Sequence, residues 1–265
     1  EAQEDREREL KERATGGTVS CQNPEGVHHA DTMSGGEGGS SEYASLFPQP
    51  PATPWADAVD GAALLDELKA VLCRYVVFPT HAAYTLALFI VATYVAECFD
   101  AAPYVNLFSP EKRCGKTLTL RLLALLCDRA LPAANCSEAS VFRALHNEHP
   151  CLMIDEVDTF FRDKPELRGI LNAGNVRSDA AVMRTVELRR GGKTEFEVRR
   201  YSVFGPKVFS GIGRLADTLA DRSIVIPMRR KRGDESCVRF RRREFDGEPL
   251  RQKCRRWADD HALAL

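Results

Sequence analysis

The chain has 265 residues, of which 44% are hydrophobic and 28% are charged, so it can bury a sizeable core. The formal net charge of -1 excludes a global attraction to nucleic acid, although the charge is unevenly distributed along the chain. Nine cysteines without a CxxC pair argue against a zinc cage and against a disulfide framework, and they indicate a reduced, cytoplasmic protein.

Residues 1–54 predict a disordered tail and linker. A run of charges at 1–13 is followed by a segment rich in Gly, Ser and Pro, which buries too little apolar surface to repay the entropy of ordering. About 40 flexible residues would span roughly 35 Å. Because the chain begins with Glu1 rather than methionine, we expect a segment of a longer protein, tethered to a domain upstream.

Two helical patterns predict an N-terminal helical subdomain over residues 55–100. The segment AALLDELKAVLCRYVVF (62–78) carries apolar residues at helical spacing, and Pro79 is expected to end this helix. The second helix is predicted over 82–99. Its apolar stretch AAYTLALFIVATYVA is shorter than the roughly 20 residues that span a membrane, so we predict a buried helix and no membrane partner.

Short apolar runs then alternate with helical patterns over residues 101–230, which predicts an α/β core with a mostly parallel sheet between helices. The predicted strands are YVNLF (104–108) and CLMID (151–155). The predicted helices cover 118–127, 137–148 with Ser137 as N-cap, and 164–174 with Pro165 near its first turn. Residues 231–265 predict a basic, helical C-terminal extension.

The segment FSPEKRCGKT (108–117) follows the first predicted strand and resembles a phosphate-binding loop. Gly115 would let the backbone approach phosphates closely, Lys116 would reach the β- and γ-phosphates, and the Thr117 hydroxyl would bind Mg²⁺. The alternative is a chance GKT at the start of a helix.

One position departs from the usual loop pattern, because Pro110 stands where the first glycine is expected. Proline fixes φ and lacks an N–H group, but it is tolerable where the loop merely leaves the strand. The donors that matter lie later, from Arg113 and Cys114 onward.

A second motif, CLMIDEVDTFF (151–161), is an apolar strand that ends in paired carboxylates. Asp155 would orient the Mg²⁺ shell, and Glu156 would polarise the water that attacks the γ-phosphate. The alternative is two solvated acids at the end of a buried strand. Both motifs in this order predict a P-loop nucleoside triphosphatase that uses ATP and Mg²⁺, and the acidic pair suits hydrolysis that drives work.

Five ordered segments carry a family resemblance: SPEKRCGKT, LMIDEVDTF, ELRGILNAG, FGPKVFSGIG and LADTLADRSIVI. They resemble the bacterial domain-of-unknown-function family 3631, which is often fused to primase-like regions in phages, plasmids and integrated elements. The resemblance runs from Trp55 to Trp257, about three quarters of the chain. More distantly, the layout is similar to the hexameric AAA+ helicases attached to primases. The resemblance implies a homo-oligomeric ring and a primase-like domain upstream.

The helicase resemblance also implies roles for two further residues. It places KVFSG (207–211) as a sensor strand between the two motif strands, with Ser210 contacting the γ-phosphate or the attacking water; the alternative is a core-facing serine bonded to backbone. It makes Arg222 an arginine finger that reaches a neighbouring subunit's γ-phosphate. The alternative is an ion pair with Asp217 or Asp221.

Residues 180–204 predict a β-hairpin that turns at RRGGK. In the helicases that the chain resembles, such a hairpin grips nucleic acid, so Arg189, Arg190 and Lys193 would contact phosphates; a solvated hairpin tip is the alternative. From Arg229 to Arg256 the chain has twelve Lys/Arg and five Asp/Glu. That surplus either attracts phosphate backbones or forms a solvated face.

These observations together predict an ATP hydrolase that acts as the motor of a primase-helicase from a mobile element and moves on single-stranded DNA. The alternative is a non-motor ATPase switch that controls assembly with a protein partner in defence or regulation. A third possibility, a structural module that binds nucleotide without turnover, is disfavoured by Glu156.

Overall fold

The structure, a computed structural model, describes residues 50–265 except 134–135, 161–164, 191–192, 214 and 216. The side chains of residues 159–160, 188–190 and 193 also lie outside the description. The tail and linker predicted over residues 1–54 therefore fall almost entirely outside the described residues.

A five-stranded parallel sheet forms the centre of the fold, in the order β2-β3-β6-β1-β7. Its strands are β1 (Tyr104–Phe108), β2 (Ala130–Ala133), β3 (Cys151–Ile154), β6 (Lys207–Gly211) and β7 (Ser223–Pro227). Helices flank the sheet, which confirms the prediction of an α/β core with a parallel sheet. The strand KVFSG lies between the strands of the two motifs, as the resemblance implied.

Eight α-helices lie within the described residues: α1 (Gly61–Tyr75), α2 (Ala82–Tyr94), α3 (Lys116–Leu126), α4 (Glu138–Glu148), α5 (Val157–Phe160), α6 (Pro165–Ala173), α7 (Asp217–Ala220) and α8 (Glu248–His261). Short 3₁₀ turns cover Ala96–Cys98 and Arg242–Glu244. Ser137 caps α4 as predicted, because its hydroxyl accepts a hydrogen bond from the Ser140 amide.

Helix α1 ends three residues earlier than predicted. Val76 is extended, with φ -134° and ψ 139°, so the VVF segment that precedes Pro79 leaves the helix. Two β-branched residues lose side-chain freedom in a helix, and the residue before a proline is disfavoured in helical conformation. The segment becomes a short extended connection.

Alternating side chains on the strands build two hydrophobic clusters, one on each face of the sheet. Val105 and Leu107 of β1 face the cluster that contains α1, α2, α3 and α8, whereas Tyr104 faces the cluster that contains α4 and α6. A strand buried on both faces is typical of a parallel sheet covered by helices. The two clusters hold the carboxyl ends of the strands in a fixed position.

The C-terminal region packs back onto the first two helices. Leu250, Cys254 and Ala258 of α8 belong to the same cluster as α1 and α2, and Lys253 pairs with Glu67 of α1. The segment between β7 and α8 has no regular structure apart from its 3₁₀ turn. Its aromatic side chains point inward, because Phe240 and Phe245 pack on Tyr75.

The predicted hairpin is confirmed as a separate two-stranded sheet. Strands β4 (Ala181–Arg190) and β5 (Lys193–Ser202) pair in antiparallel register from Ala181↔Ser202 to Arg190↔Lys193. The two glycines at the turn lie outside the described residues. Tyr201 fastens the base of the hairpin to α4, since its ring packs 4.9 Å from the ring of Phe142.

Among the helices in the described part of the chain, none combines the length and the apolar character that crossing a bilayer requires. The apolar segment predicted as a buried helix forms α2, and nine of its residues are buried.

Candidate functional site

A cleft of about 530 Å³ opens at the carboxyl ends of β1, β6 and β3. Residues 112–118 line one side of it, and Asp155, Glu156 and Asp158 line the other, with Gly211 and Ile212 between them. Strands β1 and β3 are separated only by β6, so their ends lie about 10 Å apart. The two motifs that the sequence analysis singled out therefore meet in one cleft.

The loop that leaves β1 contains two residues in the left-handed region. Arg113 has φ 65° and Gly115 has φ 84°, whereas Pro110 is not among the residues with positive φ. A side chain at position 115 would also place its Cβ 3.2 Å from Val76 Cγ1. Glycine is thus required at 115 and not at 110, which explains why the loop tolerates the proline.

Ser109 organises the start of the loop, a role that the sequence analysis missed. Its fully buried hydroxyl accepts a hydrogen bond from the Glu111 amide at 3.1 Å and lies 3.0 Å from the Cys114 sulfur. The Cys114 thiol is itself buried and bonds to the Glu111 carbonyl. Loop side chains therefore fill the interior of the turn. Any contribution of Cys114 to a ligand comes from its backbone.

Helix α3 begins at Lys116 with Gly115 as its N-cap, and no described side chain caps its first turn. The exposed amides of such a turn form a positively polarised anion site. The ammonium of Lys116 lies over the loop and donates to the Glu111 carbonyl at 3.0 Å, while Thr117 is exposed to the cleft. The residues present thus fit a phosphate chain.

The acidic pair directly follows β3. Asp155 is half-buried and accepts a hydrogen bond from the Glu156 amide at 3.0 Å. Glu156 is exposed and has φ 52°, a conformation that costs a residue with a side chain about 1–2 kcal/mol. This strain turns the chain sharply at the cleft, and strained residues of this kind cluster at functional sites.

Asp158 is a further cleft residue that the sequence analysis did not select. Its carboxylate accepts hydrogen bonds from the amides of Ile212, at 2.7 Å, and Gly213, at 2.9 Å. A Cβ at position 213 would lie 2.7 Å from a carboxylate oxygen of Asp158. The residue ties the loop after β6 to the acidic motif. Its position two residues after Glu156 is the only signal that the sequence offered.

The structure does not bring Ser210 into the cleft. The residue is fully buried on β6 opposite Leu107, whereas its neighbour Gly211 lines the cleft. Its hydroxyl has no hydrogen-bond partner among the described residues, so it is not bonded to backbone there either. The position of the side chain matches the core-facing alternative, because strand alternation turns it toward the first hydrophobic cluster, but the backbone hydrogen bond of that alternative is not found among the described residues.

Arg222 lies at the opposite end of the sheet from the cleft. It precedes Ser223, which pairs with Tyr104 at the amino end of β1, so roughly 17 Å of strand separates it from the cleft of its own subunit. The exposed guanidinium donates to the Thr218 carbonyl at 2.7 Å. The ion pairs found among the described residues include none between Arg222 and Asp217 or Asp221, the alternative raised from the sequence.

The backbone of the hairpin is described as far as Arg190 and Lys193, but the side chains of Arg189, Arg190 and Lys193 lie outside the description.

Ion pairs with acidic side chains compensate much of the surplus of positive charge that follows β7. Seven of its twelve cations form ion pairs: Arg229, Arg230, Arg241, Arg251, Lys253, Arg255 and Arg256. This region therefore offers less free positive charge than its sequence suggests.

A second cavity of about 490 Å³ adjoins the cleft and shares Arg113, Cys114, Gly115 and Leu118 with it. Its apolar wall comes from the extended connection after α1 and from the C-terminal segment: Tyr75, Val76, Val77, Val238 and Phe240. Five basic residues complete its lining: Arg113, Arg121, Arg229, Lys231 and Arg239. The backbone of one loop thus separates a polar cleft from a half-apolar cavity.

Among the described residues, no group of three or more His, Cys, Asp or Glu gathers as a metal cage. The chain matches no protein-family model, and a search of curated proteins finds no match.

Proposed function

We propose that this protein is a nucleoside triphosphatase that hydrolyses ATP with Mg²⁺. The observation that supports it is the meeting, in one cleft, of the loop after β1 and the acidic pair after β3. An uncapped helix start with a flanking lysine suits phosphates, and adjacent carboxylates suit a cation and a water.

The residues that line the cleft would have different roles, which follow from the chemistry of their side chains. Lys116 would bind the β- and γ-phosphates, and the amides at the start of α3 would bind the oxygens around them. Thr117 and Asp155 would hold Mg²⁺, which when bound neutralises charge on the phosphate oxygens. Two protein oxygens are enough, because Mg²⁺ keeps several waters and takes further oxygens from substrate phosphates.

Glu156 would act as the general base toward the attacking water. Its exposure in the cleft leaves the carboxylate free to accept a proton. Asp158 would position the loop after β6 rather than touch the reacting atoms.

The second cavity would hold the nucleobase. It begins at the loop backbone that would bind the phosphates, and its wall of Tyr75, Val76, Val77 and Phe240 is apolar. Sites for small ligands combine apolar surface with polar groups that fix the orientation of the ligand, and the five basic residues of this cavity would supply the polar groups.

Arg222 would complete the cleft of a second copy of the chain, since it cannot reach its own. This role requires a homo-oligomer, and the helicase resemblance favours a hexameric ring. The absence of an ion pair to Asp217 or Asp221 within the described residues leaves the guanidinium available.

We infer further that hydrolysis drives movement on single-stranded DNA, as the motor of a primase-helicase from a phage, plasmid or integrated element. The hairpin, with Arg189, Arg190 and Lys193 at its tip, would contact the strand, and the primase-like domain would lie upstream. The alternative is an ATPase switch that controls assembly with a protein partner. It uses the same cleft and needs no contact with DNA.

Steady-state phosphate release with and without single-stranded DNA tests both the proposed ATP hydrolysis and the proposed coupling of hydrolysis to DNA. The parent chain should hydrolyse ATP, and Glu156→Gln should bind ATP but lose turnover by roughly a hundredfold or more. Equal turnover in the parent and in Glu156→Gln would refute the catalytic assignment.

Changing Arg189, Arg190 and Lys193 together to Ala separates the motor from the switch. In a motor, DNA stimulates hydrolysis and the triple variant loses the stimulation. Hydrolysis that DNA never affects would favour the switch.

A further inference from the structure

The outward face of the hairpin carries large apolar side chains in water. Met183 is 70% exposed, Val198 is 65% exposed and Phe196 is 73% exposed. Isolated exposed apolar residues are ordinary, but three on one narrow ribbon mark an interaction surface. A two-stranded ribbon also gains little stability from its own pairing. Leaving its apolar face in water therefore makes the free energy of folding of the ribbon less favourable.

The strand register shows that these residues share one face. Residues directly opposite in an antiparallel pair point the same way, and Met183 pairs with Arg200, Thr185 with Val198, and Glu187 with Phe196. The other face is turned toward the body of the protein. There Val182 and Tyr201 pack on the second hydrophobic cluster, and Arg184 pairs with Glu138 of α4.

The charges on the hairpin favour an anionic occupant. Residues 181–202 contain six Lys/Arg and three Glu, a surplus of three positive charges. On the outward face, Arg200 is exposed and has no ion pair among the described residues, whereas Arg199 on the inward face pairs with Glu197. Glu187, the acid of the outward face, is already engaged in an interaction.

We propose that this outward face binds single-stranded nucleic acid, with a base stacked on Phe196 and a phosphate held by Arg200. Sites for single strands combine aromatic platforms with positive charge along the backbone. A second copy of the chain would be a less favourable occupant, because it would place the same surplus of positive charge against this face. The inference rests on the proposed function as a nucleic-acid motor. It adds the outward face of the hairpin to the basic tip as a second surface that contacts the nucleic acid.

The strands are ten residues long, about 33 Å at the usual rise, so the face is long enough to follow several nucleotides. Met183 and Val198 extend the apolar surface from Phe196 toward the base of the hairpin. Every base has an apolar face, so we expect binding with little preference for sequence.

Anisotropy of a fluorescein-labelled oligodeoxythymidylate, titrated with the full chain at several salt concentrations, tests this inference. Phe196→Ala should weaken binding roughly five- to a hundredfold without changing the salt dependence, and Phe196→Trp should restore it. Arg200→Ala should lower the slope of log affinity against log salt by about 0.7, the value for one phosphate contact on a single strand.

Leu88→Ala, which removes another exposed apolar side chain on α2, is the matched control and should bind like the parent. The inference is overturned if Phe196→Ala binds as tightly as Leu88→Ala, or if the parent does not bind the oligonucleotide. It is also overturned if light scattering shows that Phe196→Ala changes the number of copies in the assembly while affinity for the oligonucleotide is unchanged.

ATP hydrolysis measured without DNA distinguishes a failure of this inference from a failure of the proposed function. A parent chain that hydrolyses ATP but ignores the oligonucleotide would refute the stacking face and leave the ATPase proposal standing. A Lys116→Ala variant that still hydrolyses ATP would refute the ATPase site, whatever the oligonucleotide does.

Discussion

Replacing Lys207 by methionine tests how the base of the hairpin is fastened to the sheet. The lysine is fully buried, and its side-chain nitrogen lies within hydrogen-bond distance of the carbonyls of Gly205 at 3.0 Å, Val203 at 3.1 Å and Gly174 at 3.4 Å. A neutral amine offers two N–H donors to these carbonyls, and methionine keeps much of the volume but offers none. At about 1 kcal/mol for each hydrogen bond, the parent should be more stable than the variant by about 2 kcal/mol near pH 10.5, where the unfolded lysine also loses its proton.

The same lysine should make stability depend on pH. Burial lowers the pKa of Lys207 from 10.5 to about 7 in the folded protein. Between those values the unfolded chain binds a proton that the folded protein has released, so the free energy of unfolding rises with pH. The slope is about 1.4 kcal/mol per pH unit for one proton. Lys207→Met lacks this contribution.

Urea unfolding of the parent and Lys207→Met at a series of pH values checks both expectations. Subtracting the two curves removes the titration of tyrosines, cysteines and other lysines that both proteins share. The free energy of unfolding of the parent minus that of the variant should rise steadily from about pH 7 to about pH 10. A difference that stays constant across this range would refute the low pKa, and a variant as stable as the parent near pH 10.5 would refute the role of the hydrogen bonds from Lys207.

Three further predictions concern other parts of the fold. Asp158→Ala should lower the free energy of unfolding by about 1–3 kcal/mol, and Asp158→Asn by less, because two loop amides lose their acceptor; equal denaturation midpoints would contradict this. Gly174→Ala should cost about 1–3 kcal/mol, since its Cβ would lie 2.2 Å from the Val203 carbonyl oxygen; an unchanged melting temperature would contradict the close packing. Arg222→Ala should lose hydrolysis and regain part of it when mixed with Lys116→Ala; no recovery would contradict sharing between copies.

Local patterns predicted most of the fold, because each element repeats its own periodicity. The strand YVNLF, the cap at Ser137 and the existence of the hairpin follow from neighbouring residues alone. The acidic pair and the glycine-lysine turn were also recognisable, since each follows a buried strand. Parallel strands end at one edge of a sheet, so these two motifs were expected to meet.

Other features depend on contacts between distant segments, which the sequence does not display. Asp158 became a cleft residue only because β6 ends beside it, and Ser210 left the cleft because strand alternation turned it inward. The ion pairs that compensate the basic C-terminal segment reach back to Glu67, Glu111 and Asp128. The exposed face around Phe196 emerged only once the register had separated the two sides of the hairpin.

Equilibrium binding of a fluorescent ATP analogue in the presence of Mg²⁺ tests the central claim most directly. The parent chain should bind it saturably, and Lys116→Ala should abolish binding because the loop loses the cation proposed to bind the β- and γ-phosphates. Lys69→Ala, on α1 and outside the residues that line the cleft, is the matched control and should bind like the parent. Equal binding by the parent and Lys116→Ala would contradict a nucleotide site in this cleft.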